Sequence, residues 1–379
     1  MNRICKVALI LCACFVSVTW GQQPAGTCNN DWTEFHRPNM MRWNPCEKVL
    51  NVNNVGSLRL KWSYMTSGYV YSSPAVANGV VYVGSDYPDL NVYALNATTG
   101  ALVWSFATSE GVGTSSPAVA NGVVYVGSNE GNLYALNATT GALVWSYATD
   151  RVYSGPAVAN GVVYVGSYDD SIYALNAKSG ALLWSYKTGG FVYSSPAVAN
   201  GVVYVGSYDN NVYALNATTG ALVWSYKTGS HVNPGPAVAN GVVYVQSGFG
   251  LLALKASTGV KLWHYNTDGG ASSPAVANGV VYVGCVRNNV CALNARTGAK
   301  LWSYTTAGGV ESSPAVANGV VYVGSFDKLN KNVYALNAKT GVKLWSYTTG
   351  GYVESSPAVS NGVVYIGSGG GKVYAFGLK

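Results

Sequence analysis

SSPAVANGVVYVGSYDNNVYALNATTGALVWSYKTG, residues 194–229, holds four short strand signals in a row. SPAVA ends at an Asn-Gly turn; VVYVGS is β-branched and alternating; NVYAL follows a polar loop; ALVWSY follows NATTG. Val, Tyr and Trp favour the pleated, half-buried surface of a sheet, and Asn-Gly closes tight hairpins. No stretch of this unit shows a helical period.

The unit recurs along most of the chain. SPAV or its variant GPAV places a proline at 74, 117, 156, 196, 236, 274, 314 and 357, at intervals of 43, 39, 40, 40, 38, 40 and 43. Tryptophan keeps the same beat at Trp62, Trp104, Trp145, Trp184, Trp224, Trp263, Trp302 and Trp345, leaving Trp20, Trp32 and Trp43 outside the series. Four antiparallel strands every 40 residues or so is the pattern of a propeller blade, strand A innermost and strand D outermost. The last copy stops after KVYAFGLK, residues 372–379, without a tryptophan strand, whereas LRLKWSY, residues 58–64, is a tryptophan strand with no blade before it. The two fragments complete each other. The expected fold is therefore all-β, an eight-bladed propeller of four-stranded antiparallel blades, its last blade closed by the N-terminal strand so that no sheet edge is left bare.

A residue that occurs once per blade is unlikely chemistry and good glue. A buried Trp removes ~150–250 Å² from water, which at about 25 cal/mol per Å² contributes roughly 4–6 kcal/mol as an upper bound. The eight tryptophans are expected to dock neighbouring blades, with the glycine of each TTG or KSG supplying a positive φ and Asn or Thr side chains capping the turn.

Residues 1–21 carry Arg3 and Lys6, the apolar run VALILCACFVSV, and TWG before QQP, the layout of a secretory signal cut near Gly21. An alternative reads LCAC as a degenerate lipidation box at Cys14. Residues 22–57 form an N-terminal lead-in and residues 58–379 the propeller. The run is too short to span a membrane securely, and no other segment has 18 consecutive apolar residues. An exported chain that keeps Cys28, Cys46, Cys285 and Cys291 is expected to hold two disulfides. GCVRNNVCAL stands where a sister copy has GSYDNNVYAL, so Cys285 and Cys291 suit a cross-strand bridge better than a metal site.

Removing Arg3 and Lys6 lowers the net charge from +7 to +5, with 10% of residues charged. There is no basic tract along the chain, which argues against a nucleic-acid partner. DYPDLN and DKLNKN offer oxygen ligands without the spacing of a calcium loop. His36, His231 and His264 are scattered, and no metal site or catalytic constellation assembles from the sequence. Asn96, Asn137 and Asn216 begin NAT sequons, which stay unmodified in a bacterial setting.

In ALNATTGALVW, residues 94–104, Ala94, Thr99, Gly100 and Trp104 match the tryptophan-docking motif A-x-D-x-x-[ST]-G-x-x-x-W, with Asn96 replacing Asp. The chain thereby resembles the quinoprotein alcohol dehydrogenase-like propellers, over residues 58–379. The lead-in, residues 31–62, also looks like that family's, with an aromatic pair and an Asn-Val stretch before the closing strand. For the dehydrogenases of the family the resemblance implies pyrroloquinoline quinone beside a Cys-Cys pair, a stacked Trp, calcium held by Glu, Asn and Asp, and an Asp base. This chain has no adjacent cysteines after residue 21 and no tryptophan outside the docking series beyond Trp32 and Trp43 in that region. A noncatalytic branch, including the propeller lipoprotein of the outer-membrane assembly machinery, implies a protein-binding scaffold.

Comparison among the copies locates the differences. The A–B turns (ANG) and C–D turns (NATTG) hardly vary; the B–C and D–A loops do, and strand alternation puts both on one face. Three residues before each proline stand Tyr71, Thr114, Tyr153, Tyr193, Asn233, Ala271, Glu311 and Glu354, entering the innermost strands around the axis. The B–C loops add Asp86, Asp89, Asp169, Asp170, Asp209 and Arg287. Tyr71, Tyr153, Tyr193, Asn233, Glu311 and Glu354 are the candidate ligand-binding set: sugar or peptide stacked on tyrosine, a cation or polar group held by the glutamates. The competing reading is drift in solvated loops. The expected protein is an exported, periplasmic or extracellular, monomeric scaffold without a cofactor, binding a protein or polysaccharide on the variable face. The alternative is a dehydrogenase of alcohols or sugars using calcium and pyrroloquinoline quinone.

Overall fold

A computed structural model describes residues 29–37, 40–285, 288–326 and 331–379. The signal, Cys14, Cys28, Arg287 and most of DKLNKN lie outside them. The described strands form eight sheets in a ring, each ordered A-B-C-D with antiparallel neighbours. In blade 4 the strands are Ala197–Ala199, Val202–Gly206, Asn211–Asn216 and Leu222–Lys227. The short A strands of successive blades lie against one another around the axis. Blade 8 takes its outer strand from the N-terminal side: Arg59–Met65 pairs antiparallel with Lys372–Gly377, Met65 opposite Lys372.

Each core between blades has the same origin. Alternation along strands B and C gives two apolar faces, and the valines, tyrosines and leucines of one blade pack on those of the next. The tryptophan of strand D then crosses the seam. Trp104 Nε1 donates to the Ala138 carbonyl of the following blade at 2.9 Å, and Trp184 and Trp224 do the same to Ala217 and Ala256. Its ring covers a turn glycine: a Cβ on Gly141 would stand 2.8 Å from Trp104, and Gly141 has φ +74°. Glycine is required there twice over, for its φ and for the close approach. Asn137 Oδ1 accepts the N–H groups of Thr139 and Thr140, so asparagine fills the aspartate's place in the motif as a turn cap. Trp145, Trp263 and Trp302 keep partial exposure, whereas the other five are buried.

The eighth junction differs. Trp345 Nε1 donates to the Leu58 carbonyl, and its ring meets Phe376 edge-on at 5.0 Å. No C–D hairpin turn joins strands C and D of blade 8, whose D strand follows a 3-10 turn at Val55–Ser57, so Leu58 and Phe376 replace the alanine and glycine used elsewhere.

Cys285 and Cys291 form a disulfide, Cα atoms 5.9 Å apart. The bridge is diagonal, since Cys285 pairs with Asn289 and Cys291 with Val283. Cys46 is also disulfide-bonded.

The lead-in does more than approach the ring: it fills the channel. The A strands turn an unpaired edge toward the axis, and the segment answers blade by blade. Val76, Val119, Val238, Val276 and Val316 donate their N–H to the carbonyls of Trp32, Thr33, Met40, Met41 and Arg42, and Val158 donates to Glu34 Oε2. In blade 4 the contact is His36 Nε2 with the Ser195 carbonyl, and in blade 8 Asn44 Nδ2 with the Val359 carbonyl. The segment thus makes one turn inside the ring, in blade order, satisfying buried donors that would otherwise be orphaned. Trp43–Asn44 joins blade 7 as a parallel strand.

Candidate functional site

Above this plug, on the face of the B–C and D–A loops, opens a central cavity of about 300 Å³. Its wall begins with serines that precede the prolines. Ser273 N–H donates to Ser313 Oγ, Ser313 to Ser356, Ser356 to Ser73 and Ser73 to Ser116, each at 2.8–3.0 Å. The chain of bonds breaks at Gly155 and Gly235, the two GPAV copies. A Cβ on Gly235 would lie 2.5 Å from His36 Nε2 and 2.8 Å from the Ser195 carbonyl oxygen. Gly235 therefore makes room for the plug, a reason invisible in the repeat itself.

The loop residues behind the serines converge on the cavity. Thr114, Tyr153, Tyr193, Asn233, Ala271, Glu311 and Glu354 all line it, with Phe35 of the plug beneath. Tyr71 does not line it; it stands at the rim, stacked on Tyr69 at 5.6 Å. Burial, then the nearby Glu354 charge, pushes its phenol up to about 12.

One side is aromatic. Tyr153 stacks on Tyr193 at 5.3 Å and 17°, and Thr114 Oγ1 donates to the Tyr193 hydroxyl at 2.8 Å. The stack continues outward: Tyr168 lies parallel to Phe191 at 4.5 Å, and Tyr208 parallel to His231 at 4.9 Å. Sequence reasoning passed over Tyr168, Phe191 and Tyr208, and set His231 aside as scattered. The signal was present, since Tyr168 and Tyr208 occupy the same SYD position in the two blades that supply Tyr153 and Tyr193.

The other side is acidic. Burial and then the charge of Glu311 raise the Glu354 carboxyl to about 7, and burial raises that of Glu311. Two carboxylates drawn into one partly dry site resist ionising together, and a cation between them would relieve both. Asn233 Oδ1 is buried and has no hydrogen-bond partner in the protein. Among the described residues no Lys or Arg lines the cavity.

Beneath the floor, Arg42 is fully buried, without a carboxylate partner among the described residues. Its guanidinium donates to the carbonyls of Phe35, Ser313, Pro314 and Pro357, and lies 4.5 Å from the Phe35 ring centroid. Burial lowers its pKa to about 9, and burial plus the Arg42 charge lowers His36 to about 3, so the histidine is a neutral wedge. Glu34 is raised to about 7 by burial.

The B–C carboxylates act differently from the cavity pair. Asp89, Asp169 and Asp209 accept the phenols of Tyr93, Tyr173 and Tyr213 at 2.7, 2.6 and 2.5 Å, and so hold their own loops. His264 lies on an outer strand with Nε2 at the Phe249 carbonyl. Among the described residues no three His, Cys, Asp or Glu side chains gather as a metal would need.

The family model described as outer membrane protein assembly factor BamB, a PQQ-repeat model, matches residues 56–151, 88–195, 137–273 and 266–379. The dehydrogenase subunit of a quinone-dependent alcohol dehydrogenase from Gluconobacter oxydans is 32% identical over 114 residues, spanning 27% of this chain and only 14% of that protein. BamB from Moraxella catarrhalis superposes with TM-score 0.72 at 22% identity, covering 85% of this chain and 100% of that one. A quinohemoprotein alcohol dehydrogenase from Comamonas testosteroni gives TM-score 0.79 at 18% identity, over 92% and 80%. At such identities the superpositions speak for the fold. The overlapping matches run from residue 56 to residue 379, and the chain belongs to the PQQ-repeat propeller family that the BamB model describes.

Proposed function

We propose that the protein is an exported, noncatalytic binding propeller whose partner engages the face of the B–C and D–A loops, with the central cavity as the recognition site. The observation that carries this reading is convergence: the repeated residues are consumed in holding blades together, and seven of the eight D–A positions that differ meet in one cavity. Stacked tyrosines offer flat apolar faces, and the Glu311–Glu354 pair offers a seat for a cation. A protein segment presenting a Lys or Arg beside an aromatic or apolar residue suits both halves, and the likeness to an assembly factor favours a protein partner. A glycan stacked on Tyr153 and Tyr193 is the second reading, supported by the same aromatic wall.

Quinone chemistry fits this residue set poorly. Pyrroloquinoline quinone is a tricarboxylate, and among the described residues the cavity meets it with two carboxyl groups and no lining cation. No cysteine pair is adjacent after residue 21, and Trp32 is spent beneath the floor rather than in the cavity.

The test is a thermal-shift and calorimetric screen of basic-aromatic peptides and glycans against the protein and its Tyr193→Ala and Glu354→Gln variants. Binding that is lost in either variant supports the reading. Dye reduction with alcohols or sugars after addition of quinone and calcium overturns it.

A further inference from the structure

The opposite face carries a different chemistry. Every described Asp and Glu from residue 58 onward falls in a B–C or D–A loop, and none in an A–B turn, a C–D turn or a D strand. The cations of blades 5 to 8 gather where the carboxylates are missing. Lys261, Lys300, Lys343 and Lys61 are exposed on the four D strands near the C–D turns, and Lys255, Arg296 and Lys339 stand exposed at the C–D turns themselves. The carboxylates that the lead-in adds on this side, Asp31 and Glu47, already accept the backbone N–H groups of Asn78 and Gly362.

Exposed apolar residues encircle the same level. The C–D register shifts between Leu95, which pairs with Leu102, and Ala94, which pairs with Trp104. Val103 is thus an extra, bulged residue, and both it and Leu102 point outward. The same bulge recurs, so that Leu102, Val103, Leu143, Val144, Leu182, Leu183, Leu222 and Val223 on blades 1 to 4, and Leu262 and Leu301 beside their lysines, are each 47–52% exposed. Half of the rim is apolar, and the other half alternates Lys with Leu.

We propose that this face docks on an anionic bilayer surface, the lysines of blades 5 to 8 meeting headgroups and the leucine rim entering the acyl boundary. The arrangement favours that occupant over a protein or a nucleic acid. The apolar groups are shallow, equivalent and spread around a ring, whereas a protein interface concentrates a charge-depleted core. A nucleic acid would leave the leucines without a partner. A bilayer meets apolar side chains and cations at the same depth, with long lysine stems reaching the headgroups. In blades 6 and 7 the turns that would enter the headgroup layer are capped, since Asn294 and Asn337 each accept two turn N–H groups. The acidic face would be held away from the surface, leaving the cavity open to its partner.

The test is co-sedimentation of the purified protein with vesicles of phosphatidylcholine alone or mixed with phosphatidylglycerol. Binding is expected to rise with phosphatidylglycerol and fall with salt. The combined variant Lys61→Glu, Lys261→Glu, Lys300→Glu, Lys343→Glu is expected to weaken it on the order of a hundredfold. A charge-matched control on the acidic face, Arg151→Glu, Lys187→Glu, Lys227→Glu, Lys372→Glu, is expected to keep most of it. All are exposed except the half-buried Lys372, and thermal unfolding checks that each variant is folded. Equal loss in both variants, equal binding by all three proteins, or no dependence on phosphatidylglycerol overturns the proposal. So does light scattering that shows two copies joined through this rim.

Discussion

The ring and its plug are built on opposite terms. In the ring, one solution is used seven times over: a tryptophan, a carbonyl of the next blade, a glycine with no room for a Cβ. In the plug, residues 29–57, nothing repeats. Successive residues reach successive blades by contacts of different kinds, as His36 meets Gly235 and Arg42 meets Pro314 and Pro357. The difference teaches where singular residues in a repeat come from. Where a blade departs from its sisters close to the axis, it faces either the plug or the cavity above it.

The strongest way to break the comparison is at a junction. Trp224→Ala removes a buried indole and its bond to Ala256, and should cost about 3–5 kcal/mol in denaturant unfolding. If the junctions are equivalent, Trp104→Ala and Trp184→Ala cost the same within error, and a spread of several kcal/mol would dissolve the idea of a uniform ring. A sharper probe of the plug is Gly235→Ala, which forces His36 or the Ser195 backbone aside and should cost roughly 1–3 kcal/mol. Gly155→Ala is its control. There the nearest atoms stand 3.1 Å or more away, so a much smaller loss is expected, and equal losses would mean that the plug does not set the GPAV variants.

The disulfide tests whether a local departure from the repeat carries weight. Breaking the six-residue link in Cys285→Ser, Cys291→Ser should lower stability by roughly 2 kcal/mol, by denaturant titration, without altering neighbouring blades. A further test concerns pH. The folded-state pKa values of Glu34 and Glu354 are raised to about 7, above the ordinary carboxyl value of 4.5. The folded form then holds protons that the unfolded form has released, so this contribution is full below about pH 4.5 and lost as pH rises through 7. Melting temperature should fall between pH 5 and 8, and Glu354→Gln should flatten part of that slope. An unchanged slope would place Glu354 in water rather than in the cavity.

Much of the ring was legible because repetition averages out local ambiguity: eight copies of one strand pattern, with fragments at both ends, leave one closure. Even the convergence of Tyr153, Tyr193, Asn233, Glu311 and Glu354 followed from counting back from each proline. Tyr71 misled that count because its loop leans on Tyr69 at the rim. The plug was not legible, since its contacts join residues such as 42 and 357 through backbone bonds that leave no period in the sequence. The segregation of charge, by contrast, stood in plain view. Lysine precedes or follows leucine in the D strands of blades 5 to 8, and carboxylates avoid every C–D turn, but a count of net charge hides position.

The pairing of Arg59–Met65 with Lys372–Gly377 also sets an order of events. A strand near the start of the chain has no partner until a strand some three hundred residues later exists, and drawing such distant ends together costs about 5 kcal/mol of chain entropy. Blades 1 to 7 can form from neighbours in sequence, each on the last. Blade 8 cannot, and the plug lies just upstream of the strand that completes it. Closure of the ring therefore needs both Arg59–Met65 and Lys372–Gly377, and without it the outer edge of blade 8 stands open to any other chain with a strand to offer.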